Sequence, residues 1–325
     1  MHYDKVKQGD ASVNKRYKDF NTYLRSTYGC RVQKITVDAG FTCPNRDGSL
    51  STEGCIYCNP KGSGTGAHQK GLSITEQLLA GKRALYKRYK AKKFIAYFQA
   101  FTNTYAPVET LRQVYNEALA VEDITGLSIG TRPDCVNKDI LSLLEGYAAD
   151  DKLVWIEYGL QSAFDTTLEM INRGHNLKCF KDAVMATKNR GIKICAHVIL
   201  GLPGEQRHHM LKTADIIANM GVDGVKIHLL YVIRGTKLED MYIKKQYQCL
   251  CREEYAEFVC DFLEHLPKDI VIQRLTGDPH PEELVAPLWS LKKNETLLLI
   301  NKILEDRDSY QGRKFIPSNP SRDRA

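Results

Sequence analysis

The sequence alternates short apolar, β-branched runs with longer segments of helical periodicity, and this alternation restricts the fold more than any other feature. The strand candidates are QKITVDA (33–39), FIAYFQ (94–99), GLSIGT (126–131), LVWIEYG (153–159), IKICAHVILG (192–201), GVKIHLL (224–230) and DIVIQRL (269–275). The helix candidates are roughly 74–90, 107–121, 137–148, 164–190 with a break, 206–220 and 250–266. Strands alternating with helices indicate parallel strands joined by helical crossovers. Six or seven such units predict an α/β barrel or partial barrel rather than a short open sheet.

Two segments lie outside this pattern. Residues 231–249 contain few periodic apolar residues, which predicts a long irregular excursion. The tail from residue 310 onward is polar and contains prolines, so we expect it to fray or to lie on the surface. We find no internal repeat and no low-complexity linker between the barrel segments.

Polar residues gather at or just past the C-terminal ends of the predicted strands. They are Gln99, Thr102, Asn103, Thr131, Arg132, Asp134, Glu157, Gln161, His197, His228, Gln273 and Arg274. One such residue is often a satisfied core group, but repetition on nearly every strand is harder to explain in that way. Because β/α barrels build their active sites at this end of the strands, the pattern predicts an active site at the rim.

Composition narrows the class of protein. The chain has 325 residues, of which 43% are hydrophobic and 26% charged, as in ordinary globular proteins. No run approaches the 18 or so apolar residues of a membrane-spanning helix, and the start, MHYDKVKQGD, lacks the apolar stretch of a secretory signal. We therefore expect a cytoplasmic protein with no membrane partner. Ten cysteines in such a chain indicate free thiols or metal ligation rather than disulfides.

The charge balance is moderately basic, with a net charge of +7 and a pI of about 8.8. The densest basic run is GKRALYKRYKAKK (81–93), which is either the solvated face of a helix or a patch that contacts phosphates. More cations lie near the start, at Lys5, Lys7, Lys15, Arg16 and Lys18. An acidic partner such as RNA fits this balance but is not required by it.

A cysteine-rich loop, FTCPNRDGSLSTEGCIYCNP (41–60), follows the first predicted strand. Cys43, Cys55 and Cys58 have the spacing C-x11-C-x2-C. Structural zinc requires four ligands, and the possible fourth, Cys30, precedes the strand at its other end. A [4Fe–4S] cluster held by three cysteines leaves one iron open to bind a cofactor, and it accounts better for a three-thiol loop rich in turn residues.

With this loop, the chain resembles the radical S-adenosylmethionine (SAM) superfamily, although the loop is longer than the common C-x3-C-x2-C form. The segments FQAFTNTYAP, SIGTRPDCV, EYGLQSAFDTTLEMINRGH and CAHVILGLPGE are similar to those of the Elp3-like branch. The strings DAGFTCPNRDG, FQAFTNTYAP and IGTRPD are typical of its YtqA/YhcC group, also termed MnmL. The resemblance covers roughly residues 30–275.

The resemblance implies a partial (β/α)6-type barrel with a C-terminal strand and helix extension. We expect a basic N-terminal segment at 1–30, the core barrel at 31–275 with its Fe–S loop at 41–60, and a helical extension and tail at 276–325. It implies no acetyltransferase domain of the kind that Elp3 carries, so acetyl-CoA is not expected.

The resemblance also implies two cofactors, a [4Fe–4S] cluster and SAM. In the family, an electron from the cluster cleaves SAM into methionine and a 5′-deoxyadenosyl radical, which removes a hydrogen atom from the substrate. Carried over by position, Cys43, Cys55 and Cys58 hold the cluster. The positions matching SAM contacts are Thr102 and Asn103 for the methionine amino group, Arg173 for its carboxylate, Gln161 and His197 for the ribose, and Gly201 beside the adenine.

Two positions depart from the family pattern. Many relatives carry a glutamate on the third strand where this chain has Gly130, so Thr131 or Arg132 is the expected replacement. His197 stands where relatives often have an acid, which implies a neutral or donating contact. A surface location for Arg173 and a core location for His197 stay open as alternatives.

The Elp3-like branch acts on the C5 side chain of wobble uridine in tRNA. The resemblance therefore implies a tRNA substrate, with trimming of 5-carboxymethylaminomethyluridine to 5-aminomethyluridine, an electron donor such as flavodoxin or ferredoxin, and a possible downstream tRNA methyltransferase. Candidates for substrate contact are His228, Tyr231, Arg234 and Arg274, and a substrate carboxylate would favour the arginines. The alternatives are a radical SAM enzyme acting on a protein or small metabolite, and a non-catalytic, metal-stabilised nucleic-acid-binding module.

Overall fold

A single curled sheet of seven parallel strands forms the centre of the computed structural model, which describes residues 15–59, 62 and 66–317. In chain order the strands are β1 (Val32–Val37), β2 (Lys93–Phe98), β3 (Ile124–Thr131), β4 (Leu153–Gln161), β5 (Lys193–Leu200), β6 (Gly224–Leu229), β7 (Val232–Ile233), β8 (Val271–Arg274) and β9 (Leu284–Ala286). The sheet order is β1-β2-β3-β4-β5-β6-β8, and β7 pairs with β9 in a separate antiparallel ribbon. All seven predicted strands and the partial barrel are confirmed.

Helices cover the outer face of the sheet. They are α1 (Phe20–Tyr28), α2 (Ile74–Tyr89), α3 (Val108–Leu119), α4 (Lys138–Ala149), α5 (Asp165–Met170), α6 (Leu177–Thr187), α7 (Arg207–Asn219), α8 (Lys237–Ile243), α9 (Arg252–His265) and α10 (Lys293–Asp306). The predicted helices are found, including the break that separates α5 from α6. The excursion at 231–249 was predicted as irregular and instead contains β7 and α8. Because α8 has seven residues and buries only Leu238, it left little periodic signal.

The barrel interior is layered. Its lower end is closed by α1, whose Phe20 and Tyr23 rings pack edge-on against Trp155 at centroid distances of 5.8 and 5.9 Å. The sheet curls far enough for Lys34 on β1 to donate to the Gln273 side chain on β8, at 2.6 Å. Side chains alternate along a strand, so Trp155, Glu157 and Gly159 of β4 share one face at rising levels. The core below is therefore apolar, and the interior becomes polar toward the rim.

The C-terminal segment lies against the barrel rather than away from it. The backbone amide of Gln311 donates to the Arg16 carbonyl at 2.8 Å, and its side chain donates to the Ile270 carbonyl at 2.8 Å. On α10, Arg307 pairs with the buried Asp261 of α9 at 2.9 Å. The part of the tail that the structure describes is thus attached to the surface. No helix among the described residues is long and apolar enough to cross a membrane.

Candidate functional site

A cavity of about 580 Å³ opens at the C-terminal ends of the strands. It brings together most of the residues predicted from the sequence, namely Cys43, Cys55, Cys58, Thr102, Thr131, Gln161, Arg173, His197, His228, Tyr231 and Arg274. Asn103, Gly201 and Arg234 do not line it. The volume lies in the usual range for small-molecule and cofactor sites.

The cysteine loop reaches the cavity because it is held by backbone turns and by a second loop. The amide of Arg46 donates to the Cys43 carbonyl at 2.8 Å, and that of Cys58 to the Cys55 carbonyl at 2.9 Å. Asn45 donates to the Asn172 carbonyl at 2.6 Å, and Asn172 donates back to the Gly54 carbonyl at 2.7 Å. The loop is therefore joined to the turn that follows α5.

Each of two thiols has a cationic neighbour. A guanidinium nitrogen of Arg46 lies 3.2 Å from the Cys58 sulfur, and one of Arg173 lies 3.6 Å from the Cys55 sulfur. Burial raises the pKa of Cys58 to about 11, and Arg46 only partly counters this. Donors of this kind stabilise a thiolate, which is the form that ligates a metal.

The arrangement of the three thiols is compatible with a polynuclear cluster. Within the described ranges, no three His, Cys, Asp or Glu side chains are placed to hold one metal ion. A cubane cluster binds each thiolate at a different iron, so its ligands need not converge on one point. Cys30, the possible fourth zinc ligand, packs beside Leu24 and Val32 at the opposite end of β1.

Three buried polar atoms near the thiols are without a hydrogen-bond partner among the described residues. They are the hydroxyls of Tyr57 and Thr102, which line the cavity, and the side-chain oxygen of Asn103. Asn103 is oriented by its amide nitrogen, which donates to the Gly130 carbonyl at 2.8 Å. Orphaned acceptors cost free energy unless a ligand satisfies them, and an ammonium group such as the methionine amine of SAM supplies suitable donors.

Arg173 is buried and points at the cluster loop, so the alternative of a surface helix residue is wrong. Two of its nitrogens donate to the Gly159 carbonyl, at 3.2 and 2.8 Å. Gly159 leaves room for this contact, because a Cβ there would lie 2.5 Å from an Arg173 nitrogen. The side chain of Gln161, in the left-handed region at φ 77°, enters the cavity beside it.

The polar side chains at the end of β3 form hydrogen bonds with other protein groups. The Thr131 hydroxyl bonds to that of Thr104 at 2.6 Å. Arg132 forms a bidentate salt bridge with Asp134, with distances of 2.8 and 2.7 Å. It also donates a hydrogen bond to the Arg173 carbonyl at 2.7 Å. The IGTRPD segment therefore positions the turn that carries Arg173.

At the bottom of the cavity lies a layer that we call the ionic floor, formed by Lys34, Ser128, Glu157 and Lys226, of which Glu157 and Lys226 line the cavity. Glu157 is fully buried and accepts hydrogen bonds from the other three, with the Lys226 contact at 3.1 Å. Burial opposes its ionisation, yet the two ammonium groups hold its pKa well below the usual range. Burial lowers the pKa of Lys226 to about 8, against the opposing effect of Glu157. The floor is thus ionised at neutral pH.

His197 connects the floor to the upper cavity. Its Nε2 lies 2.6 Å from a Glu157 oxygen, and burial together with Lys226 lowers its pKa to about 4. A neutral ring that donates from Nε2 keeps Nδ1 as an acceptor. The ring is thus neutral, which is one of the two expected alternatives, and its Nδ1 can accept from a hydroxyl group.

The remaining candidates lie apart. Gly201 has a φ of 85° and accepts a hydrogen bond from the Tyr247 hydroxyl at 2.9 Å, while Leu250 packs over it. Arg234 is exposed on the excursion, and its backbone amide pairs with the Glu283 carbonyl at 2.8 Å. Neither residue joins the cavity wall.

Sequence reasoning missed Arg46, Lys34 and Lys226 as site residues. A usable signal existed for the lysines, because each interrupts an apolar strand in VQKITV and GVKIHL. A lysine within a buried strand requires a partner. No comparable signal marked Arg46, which lies in a loop of polar residues.

The basic run 81–93 lies at the other end of the barrel. Gln77 near the start of α2 bonds to Asp38 at the rim, whereas Tyr89 at its end packs under Arg31, ahead of β1. Lys87, Arg88, Lys90, Lys92 and Lys93 are exposed, and in the described part of the chain they pair with no carboxylate. Lys5 and Lys7 lie outside the described residues.

Family comparisons agree with this geometry. Residues 43–217 match the radical SAM superfamily, and residues 222–306 match the radical SAM C-terminal domain. Together the two matches include the three thiols, all residues of the ionic floor except Lys34, and the helices α9 and α10.

Two bacterial proteins align over nearly the whole chain. YtqA of Bacillus subtilis (strain 168) is 41% identical over 94% of this chain and 94% of its own length. YhcC of Escherichia coli (strain K12) is 36% identical over 92% and 96%, respectively.

More distant matches cover part of longer proteins. The tRNA uridine(34) acetyltransferase of Methanocaldococcus infernus is 29% identical over 56% of this chain and 33% of its own length. The solved structure of Methanocaldococcus infernus Elp3 superposes with a TM-score of 0.66 at 19% identity, covering 86% of this chain and 64% of that one. The second match shows that the two proteins share a fold.

Proposed function

The chain belongs to the radical SAM superfamily, whose enzymes use a [4Fe–4S] cluster and SAM, and from that premise we propose that it modifies the C5 side chain of wobble uridine in tRNA. The proposed reaction trims 5-carboxymethylaminomethyluridine to 5-aminomethyluridine. The observation that carries this proposal is one cavity that gathers the three-thiol loop, orphaned polar atoms and the cations Lys226 and Arg274.

In this proposal Cys43, Cys55 and Cys58 hold the cluster. When bound, the cluster and SAM supply a 5′-deoxyadenosyl radical that removes a hydrogen atom from the substrate. Arg46 and Arg173 neutralise charge at the thiolates, and Arg173 also lies close enough to the cluster loop to pair with a carboxylate there.

The upper cavity wall orients the rest of SAM. The orphaned oxygens of Thr102 and Asn103 accept from the methionine ammonium. His197 accepts from a ribose hydroxyl through Nδ1, with Gln161 beside it, and Thr131 supports the wall through Thr104. Burial of these groups excludes water, which strengthens each polar contact.

The choice of tRNA follows from the relatives. A relative over 56% of this chain is named a tRNA uridine(34) acetyltransferase, and that name gives both the nucleic acid and the position in it. The basic surface at 81–93 supports binding of RNA backbone away from the modified base. A flavodoxin or ferredoxin is the proposed electron donor, and a tRNA methyltransferase is the proposed consumer of the product.

The test uses tRNA from a strain that lacks the gene. Reconstituted protein, SAM and reductant are incubated with this tRNA without oxygen, and nucleosides and 5′-deoxyadenosine are measured by mass spectrometry. We expect 5-carboxymethylaminomethyluridine to decline and 5-aminomethyluridine to appear, with 5′-deoxyadenosine formed in step. Formation of 5′-deoxyadenosine with unchanged tRNA would refute the substrate and leave the radical chemistry intact.

A further inference from the structure

Positive charge exceeds negative charge at the base of the cavity. Lys226 and Arg274 line it from two strands, Lys34 lies behind it on a third, and Glu157 is the carboxylate that pairs with the two lysines. Buried cations without counter-ions are costly, because burial removes the water that would stabilise them. The surplus therefore indicates that an anionic ligand group occupies this part of the cavity.

Arg274 carries the unmatched charge. Its Nε donates to the Thr276 carbonyl at 2.5 Å, which fixes the side chain. Its two terminal nitrogens form no hydrogen bond or ion pair with any residue that the structure describes, and the side chain lines the cavity. A planar guanidinium with two free N–H groups on one edge matches the two oxygens of a carboxylate.

The neighbouring groups add donors rather than competing acceptors. The Lys226 ammonium bonds to the Tyr97 hydroxyl at 2.6 Å and to Glu157 at 3.1 Å, so one of its three N–H groups is left over. The Tyr231 hydroxyl has no hydrogen-bond partner among the described residues. Two further carboxylates, Asp278 and Glu283, line the cavity, and each has a partner of its own. Asp278 pairs with Lys293 at 3.4 Å, and Glu283 accepts a hydrogen bond from the Asn59 side chain at 3.1 Å.

We propose that Arg274, assisted by Lys226, binds a carboxylate on the C5 side chain of the substrate uridine and so makes the enzyme selective for uridines that carry one. This inference rests on the proposed function. It assigns the selectivity to the wall formed by β6 and β8. Arg173, which lies beside Cys55, is left for the carboxylate of SAM.

A carboxylate on the base fits this position better than a backbone phosphate. Arg274 pairs in register with Lys226, whose side chain is only 7% exposed, so the anion must enter the barrel to reach both. A base that is turned into an enzyme pocket brings its side chain along, while its phosphates stay outside. A phosphate contact is therefore the competing outcome of the test.

The test measures binding rather than turnover. Cluster-loaded protein with SAM, kept without oxygen and without reductant, is titrated with two anticodon stem-loops that differ only at the wobble position. One carries 5-carboxymethylaminomethyluridine and the other 5-aminomethyluridine. The dissociation constants are compared for the unchanged protein, for Arg274→Gln and Arg274→Lys, and for Arg313→Gln as a matched control, since Arg313 is exposed and does not line the cavity.

We expect the unchanged protein to bind the carboxylated stem-loop about tenfold or more tightly than the other, the value of one charge-assisted contact. Arg274→Gln should reduce this ratio to near one, Arg274→Lys should give an intermediate ratio, and Arg313→Gln should keep it. The iron content, thermal unfolding midpoint and SAM affinity of Arg274→Gln should stay unchanged, which shows that the site is intact.

Two results would overturn the inference. One is equal binding of both stem-loops by the unchanged protein, and the other is a preserved ratio in Arg274→Gln. If the ratio is preserved because both stem-loops lose affinity equally in that variant, Arg274 contacts a phosphate instead. If the ratio is near one but the wobble uridine is still converted, the inference fails and the proposed function stands. If neither stem-loop binds and tRNA is not modified, both fail.

Discussion

The cysteine loop and the ionic floor lie at two levels of one cavity and are built in different ways. The loop comes from one stretch of chain, is held by backbone turns, and faces two orphaned acceptors at Thr102 and Asn103. The floor comes from four strands, and Glu157 is satisfied by protein donors at both oxygens. The upper site is therefore incomplete without a ligand, whereas the floor is complete apart from its surplus charge.

This difference separates function from stability. Removing the Cys58 thiol should cost little folding free energy, because this side chain is only partly buried and lines the cavity rather than the apolar core. Removing the floor carboxylate should cost a great deal, because it leaves two lysines buried together. A change in the loop should therefore abolish activity with little loss of stability, whereas a change in the floor should mainly lower the free energy of unfolding.

The largest expected effect on activity comes from Cys58→Ala. Loss of one thiolate should reduce cluster iron and 5′-deoxyadenosine formation to background, while circular dichroism and the unfolding midpoint stay close to those of the unchanged protein. Cys30→Ala is the matched control, since this thiol packs at the opposite end of β1. Full SAM cleavage by Cys58→Ala, or loss of iron in Cys30→Ala, would contradict the assignment of the cluster to the cysteine loop.

The largest expected effect on stability comes from Glu157→Gln. Breaking a buried ion pair by removing one partner costs about 3–5 kcal/mol, and here two lysines lose their counter-ion. Denaturant unfolding measures the loss. Ser128→Ala, which removes only a hydroxyl donor to the same carboxylate, should cost about 1 kcal/mol.

The pH dependence of the unfolding free energy gives a second test of the Glu157 ion pairs. The folded-state pKa of Glu157 is depressed below its usual value of 4.5, so its stabilisation is present above that value and is lost as the pH falls toward the folded pKa. The stability of Glu157→Gln should lack this contribution to the acid limb. Identical acid limbs for the two proteins would show that the floor is not ionised as described.

A smaller effect is expected when Arg46 is replaced. Its guanidinium donates to the Cys58 sulfur at 3.2 Å and favours the more negative, reduced cluster. Arg46→Gln should shift the midpoint potential downward by roughly 60 mV, if the lost contact is worth about 1.4 kcal/mol in a one-electron couple. Redox titration followed by electron paramagnetic resonance measures the shift, and Arg46→Lys should retain part of the potential. An unchanged potential in Arg46→Gln would remove Arg46 from the cluster's surroundings.

The smallest expected effect is the absence of a pH response in SAM binding. The pKa of His197 is lowered to about 4, so the ring stays neutral from about pH 6 to about pH 8. The dissociation constant of SAM, measured by equilibrium binding on cluster-loaded protein, should be flat over this range. A transition near the ordinary histidine pKa would mean that the ring is not held by Glu157 and Lys226.

The features predictable from the sequence are those with a local or periodic signature. Seven strands and their crossover helices followed from the spacing of apolar residues, and the barrel followed from their alternation. The thiol loop was visible because Cys43, Cys55 and Cys58 lie within sixteen consecutive residues, 43–58. Short elements with one buried side chain, such as α8, left no such signature.

The sequence by itself determined the sheet, the rim and the thiol loop, because periodicity and local turns encode them. Only the tertiary structure decided which charges meet. Lys34, Glu157 and Lys226 are separated by 123 and 69 residues along the chain, yet their side chains meet inside the barrel. The same folding leaves Arg274 inside the cavity and Arg234 outside it. Their charges are equal in the sequence, and only the fold places one of them at the cavity wall.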